Sequence, residues 1–265
     1  MNFIQNNKII SIDEILEFLT RVFNSQSNSI YLESNITMFG LPDSQNFHKK
    51  TTYTSLCWDI IKESSSDKPI IIPSFTFSWG IDKDECFSSQ TRTHLGILPN
   101  YLVDNQQSMG FKRTRDPMFS VMYDKRFKFG EQPDHESFSK ESIFSKMYEE
   151  NTLLVNLGTK TFDPTIIHFI EQNVEQVIQY RFKKKFTGYY CNEKSHSYWY
   201  SFMRKITHNL EYDFTSVAKG MIHEGIIREF KLGNLHAWSC LSKDFCDYIE
   251  NKILINPNYL LKKII

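Results

Sequence analysis

Apolar residues in SIDEILEFLTRVF recur at helical spacing behind a Ser-x-x-Glu start. That start is a capping-box pattern, in which Ser11 and Glu14 each satisfy an orphan amide of the first turn, so a first helix is predicted here. SIYLESNI, KPIIIPSFTFSW and TLLVNLG are short apolar or β-branched runs bounded by polar and turn residues, the pattern of strands buried on both faces. Helical patterns separate them, and this alternation predicts an α/β/α sandwich with a largely parallel sheet. FKRTRDPMFSVMYDKRFKFG reads instead as a hairpin pair, which makes the sheet mixed. In DPTIIHFIEQNVEQVIQYRFKKKF, residues 163–186, Ile167, Ile170, Val174 and Val177 share one face of an amphipathic helix that ends in basic and aromatic residues. That periodicity does not explain the single histidine, His168.

QPDHESFSKESIF is polar and aperiodic at its start, a surface loop or the approach to a short helix. From about residue 188 the chain becomes aromatic and irregular, and FTSVAKGMIHEGIIREFKLGNLHAW then predicts a helix, a glycine stop and short strands. The expected organisation is one domain over residues 1–265, with a main sandwich over 1–187 and a smaller C-terminal α+β portion over 188–265. No internal repeat or low-complexity segment interrupts it.

With 265 residues, 40% of them hydrophobic and 15% aromatic, the chain can bury a sizeable core. Thirty-one basic residues balance thirty-one acidic ones, so neither nucleic acid nor an anionic membrane surface is the default partner. No apolar run approaches the roughly 20 residues of a membrane span, and the N-terminus lacks the basic start and apolar core of a signal peptide. A cytoplasmic location without membrane insertion is expected. Cys57, Cys86, Cys191, Cys240 and Cys246 form no C-x-x-C pair and fit buried thiols in a reducing compartment. Cys191 with His196 is the nearest approach to a metal motif, and no metal site is expected.

The chain has no G-x-G-x-x-G after a strand, no Walker phosphate loop and no G-x-S-x-G elbow, which weakens dinucleotide, NTP and α/β-hydrolase readings. The Q/R-x-x-G-x-G/A loop of the common small acetyltransferase fold is absent too. Four segments in chain order carry a different pattern: IYLESNITMFG with Ser34 and Gly40, IIIPSFTFSW followed by QTRTHLGILPNYL, RTRDPMFSV, and TLLVNLGTKTFDPTIIHFIEQ with Thr165, His168 and Glu171. Together they resemble the aminoglycoside 3-N-acetyltransferase family over roughly residues 29–240. YRFKKKFTG and YWYSFMR look like its branch that acylates nucleotide-linked amino sugars. Glu33 departs from the family, which often has histidine there. Asp116 replaces a histidine of the resistance enzymes, and Phe162, Asp163 and Pro164 interrupt an Asp-x-Asn-Thr run.

The resemblance implies a metal-free N-acyltransferase that moves an acyl group from acyl-CoA to an amine of a nucleotide-linked amino-deoxy sugar, with His168 as base and Asp116 as a second catalytic group. Ser34, Thr76, Ser78, Thr91, Thr93 and Gly96 are the expected acyl-CoA and oxyanion residues. Ser120, Tyr180, Arg181 and Lys185 are the expected acceptor-binding residues. An aminoglycoside acceptor is the alternative, and a non-catalytic CoA- or nucleotide-binding module is an alternative of another class. The residues alone also allow plainer roles: His168 as a structural hydrogen-bonding group, Asp116 as a turn initiator, Thr91 and Thr93 as helix caps, and the basic run as a solvated helix end. Acyl chain, sugar and oligomeric state are not legible.

Overall fold

The computed structural model describes residues 1–5, 8–47, 49–81, 85–205 and 210–263. β1 (Asn2–Gln5) and β2 (Lys8–Ser11) pair antiparallel and lead into α1 (Ile12–Phe23), whose capping box between Ser11 and Glu14 is formed as the sequence predicts. β3 (Ile30–Ser34) enters the main sheet, and the short β4 (Leu41–Pro42) returns to pair with β1. α2 (Lys50–Ser64) crosses to β5 (Ile70–Pro73), parallel to β3. β6 (Cys86–Phe87) and α3 (Ile97–Asn105) precede the hairpin of β7 (Phe111–Arg113) and β8 (Val121–Asp124). Then come α4 (Ile143–Glu149), β9 (Leu153–Leu157) and α5 (Ile167–Asn173). β10 (Arg181–Tyr190) and β11 (Ser195–Arg204) form a long hairpin. β12 (Leu210–Tyr212), α6 (Phe214–His223), β13 (Arg228–Leu232), β14 (Leu235–Leu241), α7 (Ser242–Ile255) and β15 (Leu261–Lys263) complete the chain.

The main sheet has seven strands in the order β13-β14-β9-β3-β5-β8-β7. β9, β3 and β5 are parallel at its centre, and an antiparallel hairpin flanks them on each side. Successive strand side chains point to opposite faces, and both faces here are apolar. Leu153, Val155 and Leu157 join Phe18, Leu19, Trp58 and Leu102 from α1, α2 and α3 on one side, whereas Leu154 joins Phe144, Met147, Ile170 and Ile249 from α4, α5 and α7 on the other. The predicted α/β/α sandwich with a mixed sheet is therefore what the chain forms. Among the described residues no helix is long and apolar enough to cross a membrane.

Three local readings are corrected. The helix expected over 163–186 is confined to Ile167–Asn173, and Arg181–Tyr190 is a strand whose ten residues all pair with β11. Ile167, Ile170 and Val174 are buried as the periodicity required, but the lysines lie on a strand, because hydrogen bonding to a partner distant in sequence decides their backbone. The division at residue 187 cuts through β10, and β13 and β14 return to the main sheet beside β9, whereas β12 and β15 pair in a separate two-stranded sheet. Cys86 and Cys191 form a disulfide that joins β6 to the end of β10, whereas Cys57, Cys240 and Cys246 are buried free thiols. With Cys191 bonded to Cys86, it is not a ligand beside His196, and the described residues hold no cluster of three or more metal-ligating side chains.

Candidate active site

β3, β5 and β9 end on the same side of the sheet, where ligands of open α/β sheets bind. The chain leaves β9 through Gly158, whose φ of +72° and close approach to the Asn35 carbonyl leave no room for a side chain. It crosses the strand ends and enters α5 under a tether from Thr165, whose amide and Oγ1 donate to Glu33 Oε1 at 3.0 and 2.8 Å. The carboxylate at the end of β3 thus fixes the start of the helix that presents His168.

The His168 ring lies beside Phe119, Phe138 and Tyr212 with 20% of its side chain exposed. Its Nδ1 is 2.8 Å from Glu171 Oε2, one turn along α5. Glu171 has no exposed side-chain surface and also meets Arg181 Nε at 2.7 Å and the Tyr212 hydroxyl at 2.8 Å. Burial alone would raise the Glu171 pKa, but the Arg181 charge and the contacts from His168 and Tyr212 hold it below the usual range. Burial and the Arg181 charge lower the His168 pKa against the pull of Glu171, so the imidazole is neutral at pH 7.

Arg181 Nη2 also lies 2.8 Å from Nδ1, and that nitrogen cannot accept from arginine while donating to the carboxylate. Arg181 has Tyr212 as another acceptor, whereas an unprotonated Nδ1 would set a lone pair against an anion. The proton therefore belongs on Nδ1, directed at Glu171, and Nε2 carries the lone pair. A neutral imidazole held in this tautomer can take a proton from an amine.

A second feature opens at the strand ends, a cavity of about 320 Å³ lined by Glu33, Ser34, Asn156, Asp163 and Thr165 with the apolar Phe75 and Leu95. Desolvation by burial is the main reason that the Glu33 pKa rises to about 7; Asp163 adds to the rise, and hydrogen bonds from Thr165 and Tyr31 oppose it. Asn156 Nδ2 lies 3.3 Å from Glu33 Oε2 and 3.2 Å from Asp163 Oδ1.

The structure separates the residues singled out from the sequence. Ser34 lines the strand-end cavity, and His168 follows one turn after Thr165. Thr76, Ser120 and Thr93 are buried. Thr76 and Ser120 accept hydrogen bonds from the buried Arg113, a residue the sequence reading passed over. Arg113 also donates to the Ser74 and Thr91 carbonyls and so ties the loop after β5 to the 88–91 turn. Neither Thr91 nor Thr93 caps α3, whose N-cap is Gly96. Thr91 Oγ1 accepts from the Ser88 amide and Thr93 Oγ1 donates to the Phe75 carbonyl, so both hydroxyls brace the loop.

Ser78 Oγ is 2.9 Å from His94 Nε2. Of the amides considered for an oxyanion, those of Thr76, Thr91 and Thr93 already donate, to Pro117, Ser88 and Asn100; those of Ser78 and Gly96 make no hydrogen bond among the described residues. Asp116 caps the turn before β8: Oδ1 accepts from the amides of Met118 and Phe119, which sets Phe119 against His168. Burial raises its pKa to about 6. Tyr180 is buried, Arg181 is engaged with Glu171, and Lys185 is exposed over the Tyr198 ring at 4.3 Å.

Tyr212 completing the His168 site and Asn156 completing the cavity were not anticipated; Arg181, expected to bind the acceptor, is instead engaged with Glu171, and Asp163 was noted only as a departure from the family pattern. The Thr-x-x-His-x-x-Glu spacing was the sequence signal for Glu171; nothing local marks the others.

Residues 72–253, more than half of the chain, match the family model described as aminoglycoside 3-N-acetyltransferase. No curated protein matches in sequence. The fold is similar to that of aminoglycoside acetyltransferase AAC(3)-IIb, with a TM-score of 0.71 and 11% identity over 92% of this chain and 97% of that one. It is similar to YokD from Bacillus subtilis, with a TM-score of 0.69 and 13% identity over 93% and 94%. AAC-IIIb, solved as a binary complex with CoASH, has a TM-score of 0.69 and 14% identity over 92% and 96%. The family match, on a fold and strand-end site of this kind, shows that the chain belongs to the aminoglycoside 3-N-acetyltransferase family of CoA-dependent N-acyltransferases.

Proposed function

We propose that this chain moves the acyl group of an acyl-CoA onto a primary amine of an amino sugar, with His168 Nε2 as the base. The observation that carries this reading is Nδ1 of a neutral His168 held 2.8 Å from the buried Glu171, which leaves Nε2 free to accept. An amine attacks a thioester only as the neutral species, and removal of its proton by a positioned base contributes about 10² to 10⁴ in rate. As attack develops, the carbonyl oxygen gains charge, and the amides of Ser78 and Gly96, which donate to no described residue, are candidates to meet it, each such donor contributing about 10² to 10³. Collapse of the tetrahedral intermediate expels the CoA thiolate, which takes up the proton that His168 Nε2 accepted from the amine and leaves as the thiol. The segment that follows Ser34 also borders a larger groove lined by Thr37, Met38, Gly40, Lys50 and Tyr53, where the lysine suits a phosphate of the CoA arm.

Two acceptor classes are distinguished by observations. The aminoglycosides named for the family and for several neighbours are polycations, and the carboxylates Glu33 and Asp163 at the strand ends favour such a ligand. A nucleotide-linked amino-deoxy sugar is favoured by the β10–β11 hairpin, where Lys183 and Lys185 share a face with Tyr198 and Tyr200, groups that suit a diphosphate and a base. Lys183 is paired with Glu136 at 2.9 Å, which leaves that face less cationic than its sequence suggests. Thiol release from acetyl-CoA, measured with an aminoglycoside and with nucleotide-linked amino sugars in parallel, tests the reading. His168→Asn is expected to lower kcat by about 10² to 10⁴ with acyl-CoA affinity within a few-fold. A fall of under about fivefold rules out His168 as base.

A further inference from the structure

The side chains of Ser78 and His94 form a pair that acyl transfer through His168 does not use. Ser78 follows β5 and His94 precedes α3, and across the two loops Ser78 Oγ lies 2.9 Å from His94 Nε2. Ser78 is half-buried and His94 exposed, so water reaches both. With its ring proton on Nδ1, His94 accepts the serine O–H at Nε2. A serine hydroxyl is a weak nucleophile until an adjacent base takes its proton, and a hydroxyl within hydrogen-bond reach of an imidazole is the arrangement that activates it. The Ser78 amide and the Gly96 amide, two residues beyond His94, donate to no described residue. A nucleophile's own amide together with a second free amide is a donor pair suited to the oxyanion of an acyl intermediate. Two contacts place the pair beside the His168 site. Phe77, next to Ser78, packs on Phe119 at 5.4 Å between ring centroids, and Phe119 packs on His168 at 6.2 Å. Leu95, next to His94, lines the strand-end cavity.

We propose that Ser78 and His94 act as nucleophile and base in a second activity of this chain, the hydrolysis of acyl-CoA through an acyl-serine when no amine is bound. The proposal rests on the acyl-transfer reading for its thioester substrate, but not for the reactivity of the serine. His94 Nε2 takes the Ser78 proton as Oγ bonds to the thioester carbon. The C–S bond then breaks, and the thiolate takes that proton and leaves as the CoA thiol. Water next attacks the acyl-serine ester and gives one proton to His94. The C–Oγ bond breaks, Ser78 Oγ takes that proton back, and the carboxylic acid departs. Acyl-CoA and water thus become acid and thiol, with serine and histidine restored. Nδ1 of His94 meets no described residue, so the base lacks the third group that holds it in a triad, and hydrolysis should be slower than transfer to an amine.

The test uses the whole protein and two probes. A fluorophosphonate, which bonds irreversibly to activated serines, is expected to label Ser78, as mapped by peptide mass, and His94→Gln should slow that labelling by about 10² to 10⁴. Acetyl-CoA without any amine should release thiol and acetate slowly and continuously, and Ser78→Ala should abolish this release. A wild-type Ser78 left unlabelled overturns the proposal, and this result needs no variant to fold. Labelling at an unchanged rate in His94→Gln overturns the role of the histidine. Thiol release that requires an amine overturns the hydrolysis. If acetyl-CoA releases no thiol with or without amines, the acyl-transfer reading fails, and fluorophosphonate labelling alone decides whether Ser78 is an activated nucleophile.

Discussion

Glu171→Gln is the perturbation that separates positioning from packing at the His168 site. The wild-type carboxylate faces three donors, Arg181 Nε at 2.7 Å, Tyr212 Oη at 2.8 Å and His168 Nδ1 at 2.8 Å, and has no exposed side-chain surface. An amide retains one acceptor oxygen and turns an NH2 toward at least one of those donors, while the Arg181 charge stays buried without its counter-ion. Breaking a buried pair in this way costs about 3 to 5 kcal/mol. Unfolding entropy of about 2.1 cal/mol/K per residue gives a chain of 265 residues about 0.56 kcal/mol/K, so the melting temperature should fall by about 5 to 9 °C.

The Glu171 pKa is lowered in the fold, so its contribution is present above its ordinary value of 4.5 and is lost as pH falls through the depressed value. The deficit of the variant should accordingly shrink below about pH 4.5. Loss of the anchored Nδ1–H tautomer should lower kcat in the thiol-release assay by about 10² to 10⁴. Glu171→Gln/Arg181→Met removes both charges and should recover most of the melting temperature without recovering kcat. A melting temperature within 2 °C of wild type for the single variant refutes the ion-pair argument, and recovered activity in the double variant refutes the positioning of His168 by Glu171.

The disulfide between Cys86 and Cys191 spans 105 residues, and a loop of that length corresponds to about 4.7 kcal/mol in the chain-entropy model. Cys86→Ser/Cys191→Ser, or reduction of the wild type, should lower the melting temperature by up to about 8 °C by scanning calorimetry; no change would mean that the bond does not form. Glu33 is raised from 4.5 to about 7 in the fold, so folding becomes less favourable as pH rises through that interval, and Glu33→Gln should gain about 2 to 3 kcal/mol relative to wild type between pH 4.5 and pH 8 in urea titrations. A pH-independent difference would show that Glu33 is not desolvated. Gly188→Ala would set a Cβ 2.5 Å from the fully buried Trp79 ring, so it should destabilise by about 1 to 3 kcal/mol and shift Trp79 fluorescence; an unperturbed protein would place Trp79 elsewhere.

Periodicity and local chemistry by themselves determined the elements whose stability is short-range. The capping box at Ser11 and Glu14, the three apolar runs that became β3, β5 and β9, and the turn around Asp116 were legible because the residues involved lie within a few positions of one another. His168 was singled out through the resemblance of Thr165, His168 and Glu171 to the family's Thr-x-x-His-x-x-Glu helix, and not by periodicity.

Tertiary structure alone decided what depends on partners distant in the chain. Lys183 to Lys185 read as a helix end until pairing with Ser201 and its neighbours made them a strand. Cys86 and Cys191 read as unpaired until β6 and β10 came together. Arg181 and Tyr212 complete the His168 site from 13 and 44 positions away, and Asn156 reaches Glu33 across 123. Such contacts form only when the sheet closes. Burial then sets the charges of those groups, because a carboxyl or imidazole titrates according to the water it has lost and the neighbours it has gained, neither of which is written in local sequence.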